Sequence, residues 1–122
     1  MVAAMTFKEG KPIYVQIADR LREEILAGKY KPDERVPSVR EYAVLLEVNT
    51  NTAVKSYELL ANEGIIYNKR GMGYFVSPGA KERVMEERRQ EFLSQRLPQL
   101  FREMELLGVD ISAVVKAWEN RG

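Results

Sequence analysis

The stretch of sequence that decides the fold is Arg35–Val76, which reads RVPSVREYAVLLEVNTNTAVKSYELLANEGIIYNKRGMGYFV. In its first part, apolar residues recur at helical spacing and are interrupted once by a short polar turn. Its last part contains two short runs of β-branched and aromatic residues, separated by glycines and basic residues. The pattern therefore predicts a helix, a turn, a second helix and a two-stranded hairpin.

The first helix of this stretch begins at a capping box. Ser38 can accept a hydrogen bond from the backbone N–H of Glu41, and the Glu41 side chain can reach back to the N–H of Ser38. We expect the helix to run from Val39 to about Leu46. Its expected buried residues are Ala43, Leu45 and Leu46.

The second helix follows after a turn at Val48 and Asn49. Asn49 is a good N-cap, Thr50–Thr52 fill the first turn, and Gly64 ends the helix. Its expected apolar face consists of Ala53, Val54, Tyr57, Leu60 and Ala61, with Asn62 and Glu63 solvated. The link leaves no room for another element, as a helix-turn-helix requires.

The hairpin is predicted from Ile65–Tyr67 and Tyr74–Val76, because both runs favour strands. The glycines of the Asn68–Gly73 segment permit positive φ, so this segment is predicted to be a tight loop with a cationic tip. A helix-turn-helix followed by such a hairpin is a winged helix-turn-helix. The usual function of this module is to place its second helix in the DNA major groove.

Helices are also predicted on both sides of this stretch. The residues Ile13, Ile17, Leu21 and Ile25 recur at steps of four, after Pro12 and before a stop at Gly28. We expect Met1–Lys11 to be a partly mobile lead-in. Ser77–Gly79 is the clearest boundary, so we predict a winged helix-turn-helix DNA-binding domain over 1–78 and a helical dimerisation or effector tail over 79–122.

The tail carries a coiled-coil-like apolar seam. The seam consists of Leu93, Leu97, Leu100, Met104 and Leu107, broadened by Phe92 and Phe101. Pro98 should kink the helix or divide it, and Asp110 should cap a last helix from Ile111 to about Asn120. We predict that the seam pairs two copies across a two-fold axis. Packing of the tail on its own DNA-binding domain is the alternative.

Composition excludes several classes of function. The 122 residues include no Cys and no His, which excludes disulfides and thiolate nucleophiles and removes the commonest general base and metal ligand. We therefore expect no enzyme, no cofactor and no metal site. No run approaches the ~18 apolar residues of a membrane span, so we expect no membrane partner and a cytoplasmic location. Residues 1–79 carry eleven Lys and Arg against ten Asp and Glu, so any positive surface must come from spatial sorting.

Candidate DNA-contacting residues occur at both helix starts and in the hairpin. Short polar side chains at the start of the second helix can reach base edges and phosphates, and the helix dipole favours the phosphate. Basic residues can bind phosphate or guanine edges. Helix capping and ordinary solvated charges are the alternative interpretation. The full predicted set is Ser38, Arg40, Asn49, Thr50, Asn51, Thr52, Lys55, Lys69, Arg70 and Gly71.

These motifs resemble the GntR family of bacterial transcriptional regulators. The matching segments are PIYVQI at Pro12–Ile17, RVPSVRE at Arg35–Glu41, VNTNT at Val48–Thr52, EGII at Glu63–Ile66 and RGMGYFV at Arg70–Val76. The resemblance implies that Arg40 contacts DNA, that Asn49–Thr52 is the tip of the recognition helix, and that Arg70–Gly71 enters the minor groove. The sequence departs from the family where glycine usually follows proline (Asp33), at a frequent proline (Thr50), and at Val54–Lys55.

The short tail looks like that of the YtrA-type subfamily, whose small helical tail mediates dimerisation. This resemblance implies a homodimeric repressor that binds an inverted-repeat DNA operator. The two recognition helices would enter successive major grooves about 34–36 Å apart. The sequence specifies no small-molecule effector. A winged-helix module that binds another protein is the rival function, and the near-neutral charge favours it.

Overall fold

The computed structural model of the protein describes residues 7–122. The described helices and strands are α1 Ile13–Leu26, α2 Val39–Leu46, α3 Thr50–Asn62, β1 Ile66–Lys69, β2 Gly73–Val76, α4 Ala80–Glu91, a π-helical turn Phe92–Arg96, α5 Leu97–Leu107 and α6 Ile111–Glu119. This mostly helical winged helix-turn-helix with one antiparallel hairpin confirms the predicted fold class. The first six residues of the expected mobile lead-in lie outside the described residues.

The chain forms two compact units, one up to Met85 and the other Glu86–Gly122. In the first unit, α1, α2, α3 and the hairpin share one apolar core, which the start of α4 completes. The buried residues that pack together in this core are Ile17, Ala18, Leu21, Ile25, Val36, Tyr42, Leu46, Tyr57, Leu60, Ile65, Ile66, Val76, Ala80 and Val84. The predicted domain division at residue 78 stays a prediction.

Tyr42 and Tyr57 place two large rings in this core. Each hydroxyl has a partner, because Tyr42 donates to Glu24 Oε1 at 2.6 Å and Tyr57 donates to the carbonyl of Pro37 at 2.7 Å. Burial raises the pKa of both phenols well above the usual value. Burial of Tyr42 was not among the expectations for α2, although the predicted bounds of this helix are confirmed.

Two expectations for α3 were wrong. Val54 was assigned to the buried face but is 38% exposed, since Ala53, Tyr57 and Leu60 occupy the side that faces the core. Glu63 was expected to be solvated, but it forms an ion pair with the buried guanidinium of Arg22 in α1. The α3 C-terminus is therefore anchored to α1.

The hairpin is longer than predicted, because Lys69 and Gly73 pair as strand residues rather than belonging to the loop. Only Arg70–Met72 forms the turn, and Gly71 adopts a φ of 78° there. The segment before α2 pairs with β2, since the Val36 N–H donates to the carbonyl of Tyr74 at 3.0 Å. This backbone pairing fixes the hairpin to the start of α2.

The second unit is helical throughout most of its length but has no buried core of its own. No side chain of Glu86–Gly122, a segment that the structure describes in full, is buried. Pro98 lies in the first turn of α5, directly after the π-helical turn. Proline cannot donate to the carbonyl four residues earlier, and the wider helical turn is where the regular hydrogen-bond ladder is interrupted. Within residues 7–122, no helix is both long and apolar enough to cross a membrane.

Candidate nucleic-acid interface

The N-terminus of α3 presents short polar side chains to solvent. Asn49 is the N-cap, and its Oδ1 accepts a hydrogen bond from the Asn51 N–H at 2.8 Å. Since Oδ1 is used for capping, the NH₂ group of the exposed Asn49 side chain remains as a hydrogen-bond donor. Thr50 and Asn51 are exposed beside it, and Thr52 is half-buried. The positive end of the helix dipole adds to the attraction for an anion here.

Two buried side-chain hydrogen bonds fix the position of α3. The fully buried Ser56 donates to the carbonyl of Tyr14 in α1 at 2.7 Å, and the Tyr57 hydroxyl donates to the carbonyl of Pro37 before α2. Sequence reasoning missed Ser56, although a serine between the buried positions Ala53 and Tyr57 is a signal for such a bond. The middle of α3 is thus held by α1 and by the segment that leads into α2.

The predicted capping box at the start of α2 is present. The Glu41 N–H donates to Ser38 Oγ at 3.1 Å, and the Ser38 N–H donates to Glu41 Oε1 at 2.9 Å. The hydrogen bond from the Ser38 backbone is the main cause that lowers the pKa of Glu41. Arg40 lies within this first turn with its side chain exposed. The capping box therefore fixes the helical turn from which Arg40 projects.

Arg35 connects the hairpin turn to the start of α2, and the predicted site did not include it. Its Nε donates to the carbonyl of Met72 at 3.1 Å, and its guanidinium lies 3.8 Å from Glu41 Oε1. A Cβ added at Gly73 would lie 3.1 Å from Arg35 Nε, so glycine leaves room for this contact. Arg35 thereby positions the basic turn relative to Arg40.

Lys69 and Arg70 do not project in the same way. The Lys69 ammonium lies 5.0 Å from the centre of the Phe75 ring, on the hairpin face that also carries Tyr67. Arg70 and Gly71 occupy the turn itself and are exposed. The turn, rather than the whole basic pair, is therefore the part of the hairpin that can enter a narrow groove.

In the first unit, several carboxylates form ion pairs, whereas some of the exposed cations do not. The carboxylates of Asp19, Glu24, Glu41 and Glu63 form ion pairs with nearby cations. By contrast, the exposed cations Arg40, Lys55 and Arg70 make no ion pair with another residue in the described range 7–122. A locally positive surface can therefore form at the helix starts and wing despite the near-neutral total. The exposed carboxylate of Glu58, about one turn after Lys55, limits this surface toward the C-terminus of α3.

The family model of the bacterial regulatory proteins of the gntR family matches residues 13–76, from the start of α1 to the end of the hairpin. The chain belongs to the gntR family. The family that the sequence motifs indicated is thereby confirmed.

Similar proteins extend this result beyond the winged helix. The transcriptional repressor YtrA of Bacillus subtilis is 36% identical over 104 residues, which cover 85% of this chain and 79% of that protein. The crystal structure of a GntR-family transcriptional regulator from Bacteroides thetaiotaomicron is 44% identical, with a TM-score of 0.76, and covers 87% of this chain and 93% of that chain. These relatives are named as regulators and a repressor, which confirms the prediction that this chain is not an enzyme.

A further solved structure shows a similar domain on DNA. It is the DNA-binding domain of AraR in complex with its operator ORX1, 25% identical with a TM-score of 0.57. The match covers 62% of this chain and 96% of that chain. The gntR-family domain of the present chain therefore has the fold of a domain that binds operator DNA in a relative.

Proposed function

We propose that this regulator represses transcription by binding an inverted-repeat operator as a homodimer, with α3 in the major groove and the hairpin turn in the minor groove. One observation carries the proposal: the exposed cations Arg40, Lys55 and Arg70 make no ion pair with a carboxylate of the described residues. Such groups suit phosphates and base edges. A regulator of this kind acts on the chromosome, in the bacterial cytoplasm.

The residues divide by expected role. Arg40 binds a phosphate or a guanine edge, and Asn49–Thr52 read bases or phosphates at the tip of α3. Ser38 and Lys55 lie at the edges of this surface and contact the backbone. Arg70 and Gly71 enter the minor groove, and Lys69 binds phosphate from the outer face of the hairpin. Neutralised phosphates should supply most of the affinity and make it fall steeply with salt.

We propose that residues 79–122 are the dimerisation tail and residues 1–78 the DNA-binding domain. The support is the exposed apolar surface of the tail, since large exposed apolar patches are uncommon in monomers. The side chains proposed for the dimer interface are Phe92, Leu93, Leu97, Leu100, Phe101, Met104 and Leu107. Two-fold pairing would set two copies of α3 on one face of the duplex, about 34–36 Å apart.

Selection of bound duplexes from a random DNA pool tests this function directly. The full chain should recover a palindrome whose half-sites are about one helical turn apart. Loss of binding on raising the salt concentration should follow a steep log–log slope. Failure to enrich any motif, even at low salt, would contradict DNA reading and favour a winged helix that binds another protein.

A further inference from the structure

Val54 is an apolar side chain on the otherwise polar exposed surface of α3. It is 38% exposed, whereas its neighbours Ala53 and Tyr57 are fully buried. The exposed positions of the first three turns are Thr50, Asn51, Val54, Lys55 and Glu58. These positions recur at helical spacing and form one stripe. Val54 therefore lies at the centre of the surface proposed to face DNA.

The neighbours of Val54 determine what can cover it. Asn51 precedes it by three residues, so the two side chains are neighbours on the helix surface, and Lys55 follows it directly. A duplex contacted by both Asn51 and Lys55 would cover Val54 as well. Water would then be removed from the valine methyl groups, which is favourable if an apolar group replaces it.

The chemistry of valine restricts its partner on DNA. Valine has no hydrogen-bond donor or acceptor in its side chain, so it cannot bind a phosphate or a polar base edge. The C5-methyl group of thymine is the apolar mark in the major groove. A β-branched side chain in a helix has one strongly preferred χ1 rotamer, so little side-chain freedom is lost on contact.

We propose that Val54 specifies a thymine in each operator half-site by packing its methyl groups against the thymine C5-methyl group. This inference rests on the proposed function, because it assigns one base to the DNA-reading surface. Val54 thereby discriminates between sequences, whereas Lys55 beside it contributes charge.

Replacement of single thymines by uracil tests the contact, because uracil lacks only the methyl group. The probe is the duplex that the parent full-length protein recovers from the random pool, with one thymine per half-site replaced at a time. Loss of one buried methyl contact should weaken binding about fourfold per half-site at one position. Val54→Ser should bind the thymine duplex more weakly and should not distinguish it from the uracil duplex at that position.

A matched control separates this contact from a general effect of the substitution. Val44→Ser changes a valine that is 75% exposed on α2 and lies outside the α3 stripe. Serine and valine have similar helix propensities, so both variants should fold like the parent. Val44→Ser should retain the parent's full sensitivity to uracil.

The outcomes distinguish the two proposals. If a motif is recovered but no uracil replacement matters, the role of Val54 is overturned while DNA reading stands. Uracil sensitivity that persists unchanged in Val54→Ser would assign the methyl contact to another residue and would also overturn it. If no motif is recovered, the proposed function and this inference both fall.

Discussion

The two units of this regulator use their apolar residues in opposite ways. In the first unit, side chains such as Tyr57, Leu60 and Ile65 are fully buried. In Glu86–Gly122 none is buried, and four residues of the proposed dimer interface are between 41% and 50% exposed, namely Phe92, Leu93, Leu100 and Phe101. Burial of apolar surface is the main force that stabilises a fold. The first unit thus has an internal core, whereas the second unit leaves its apolar side chains exposed.

The largest expected effect comes from placing charged side chains in the apolar surface of the second unit. We expect Leu97→Asp combined with Leu100→Asp to convert the proposed dimer to monomers, because two charges per chain would be buried at its interface. Loss of bivalent binding should weaken affinity for the full operator by at least about a hundredfold. Analytical ultracentrifugation and operator titration measure the two effects.

Leu106→Asp is the matched control for this prediction. Leu106 lies in the same helix but is 85% exposed and outside the seam, so a dimer should persist. Dimers in the Leu97/Leu100 double variant at micromolar concentration would remove the seam from the proposed interface.

A core substitution should affect the first unit differently. We expect Leu60→Ala to lower the free energy of unfolding by about 2–5 kcal/mol, because it leaves a cavity in a packed core. Urea unfolding followed by the near-ultraviolet circular dichroism of the tyrosines measures this change. Leu106→Ala should change stability by less than about 0.5 kcal/mol, as expected for an exposed site. Equal losses in the two variants would contradict the contrast between the units.

Sequence reasoning succeeded where the structural signal was local. The capping box placed the start of α2, and Asn49 placed the start of α3, because each cap depends on residues within three positions. It failed where burial depended on distant elements: Tyr42 packs in the shared core, where its hydroxyl reaches Glu24 in α1, and the α3 C-terminus is anchored because Glu63 reaches Arg22. Helical spacing indicates which residues share a face of a helix, but it does not indicate where the centre of the buried face lies. Val54 was therefore assigned to the wrong side of α3.

The same limit applies to the candidate site. Its helix starts and wing turn could be predicted, since caps and glycines mark them in the sequence. The hydrogen bonds by which Arg35 and Ser56 support the site could not be predicted, because their partners Met72 and Tyr14 are remote in sequence.

A substitution of Arg40 tests whether the first unit contacts DNA as proposed. We expect Arg40→Ala to weaken operator binding by more than about 1 kcal/mol, since a charged hydrogen bond to phosphate or guanine is lost. Lys81→Ala removes the same charge from an exposed position outside the proposed surface and should have a much smaller effect. Matched titrations in one buffer compare them, with unfolding curves to verify folding. Equal affinities for Arg40→Ala and the parent would exclude Arg40 from the interface.

Ser38 should have a smaller effect, through the stability of α2. We expect Ser38→Ala to lower the free energy of unfolding by about 1 kcal/mol, because the Glu41 N–H loses its capping partner. Ser38→Thr keeps a hydroxyl at the cap and should retain most of the stability. Urea unfolding of the three proteins side by side checks the order, and a Thr variant as unstable as the Ala variant would argue against the cap.

The smallest expected effect compares two capping carboxylates, one in each unit. Hydrogen bonds lower the pKa of Glu41 at the start of α2, and a bond from Ser112 chiefly lowers that of Asp110 at the start of α6. A carboxyl group whose pKa is lowered in the folded state stabilises the fold at pH values above its unfolded-state pKa. This stabilisation is lost as the pH falls through its folded-state pKa. Glutamine can still cap but cannot ionise, so the stability advantage of the parent over Glu41→Gln should shrink as the pH falls below about 4.5, the ordinary pKa of the carboxyl. Unfolding followed by the tyrosine signal should show this pH dependence for Glu41→Gln and not for Asp110→Asn, because Asp110 belongs to the other unit. If the difference in unfolding free energy between the parent and Glu41→Gln did not depend on pH, the charge of the Glu41 carboxylate would not contribute to the cap.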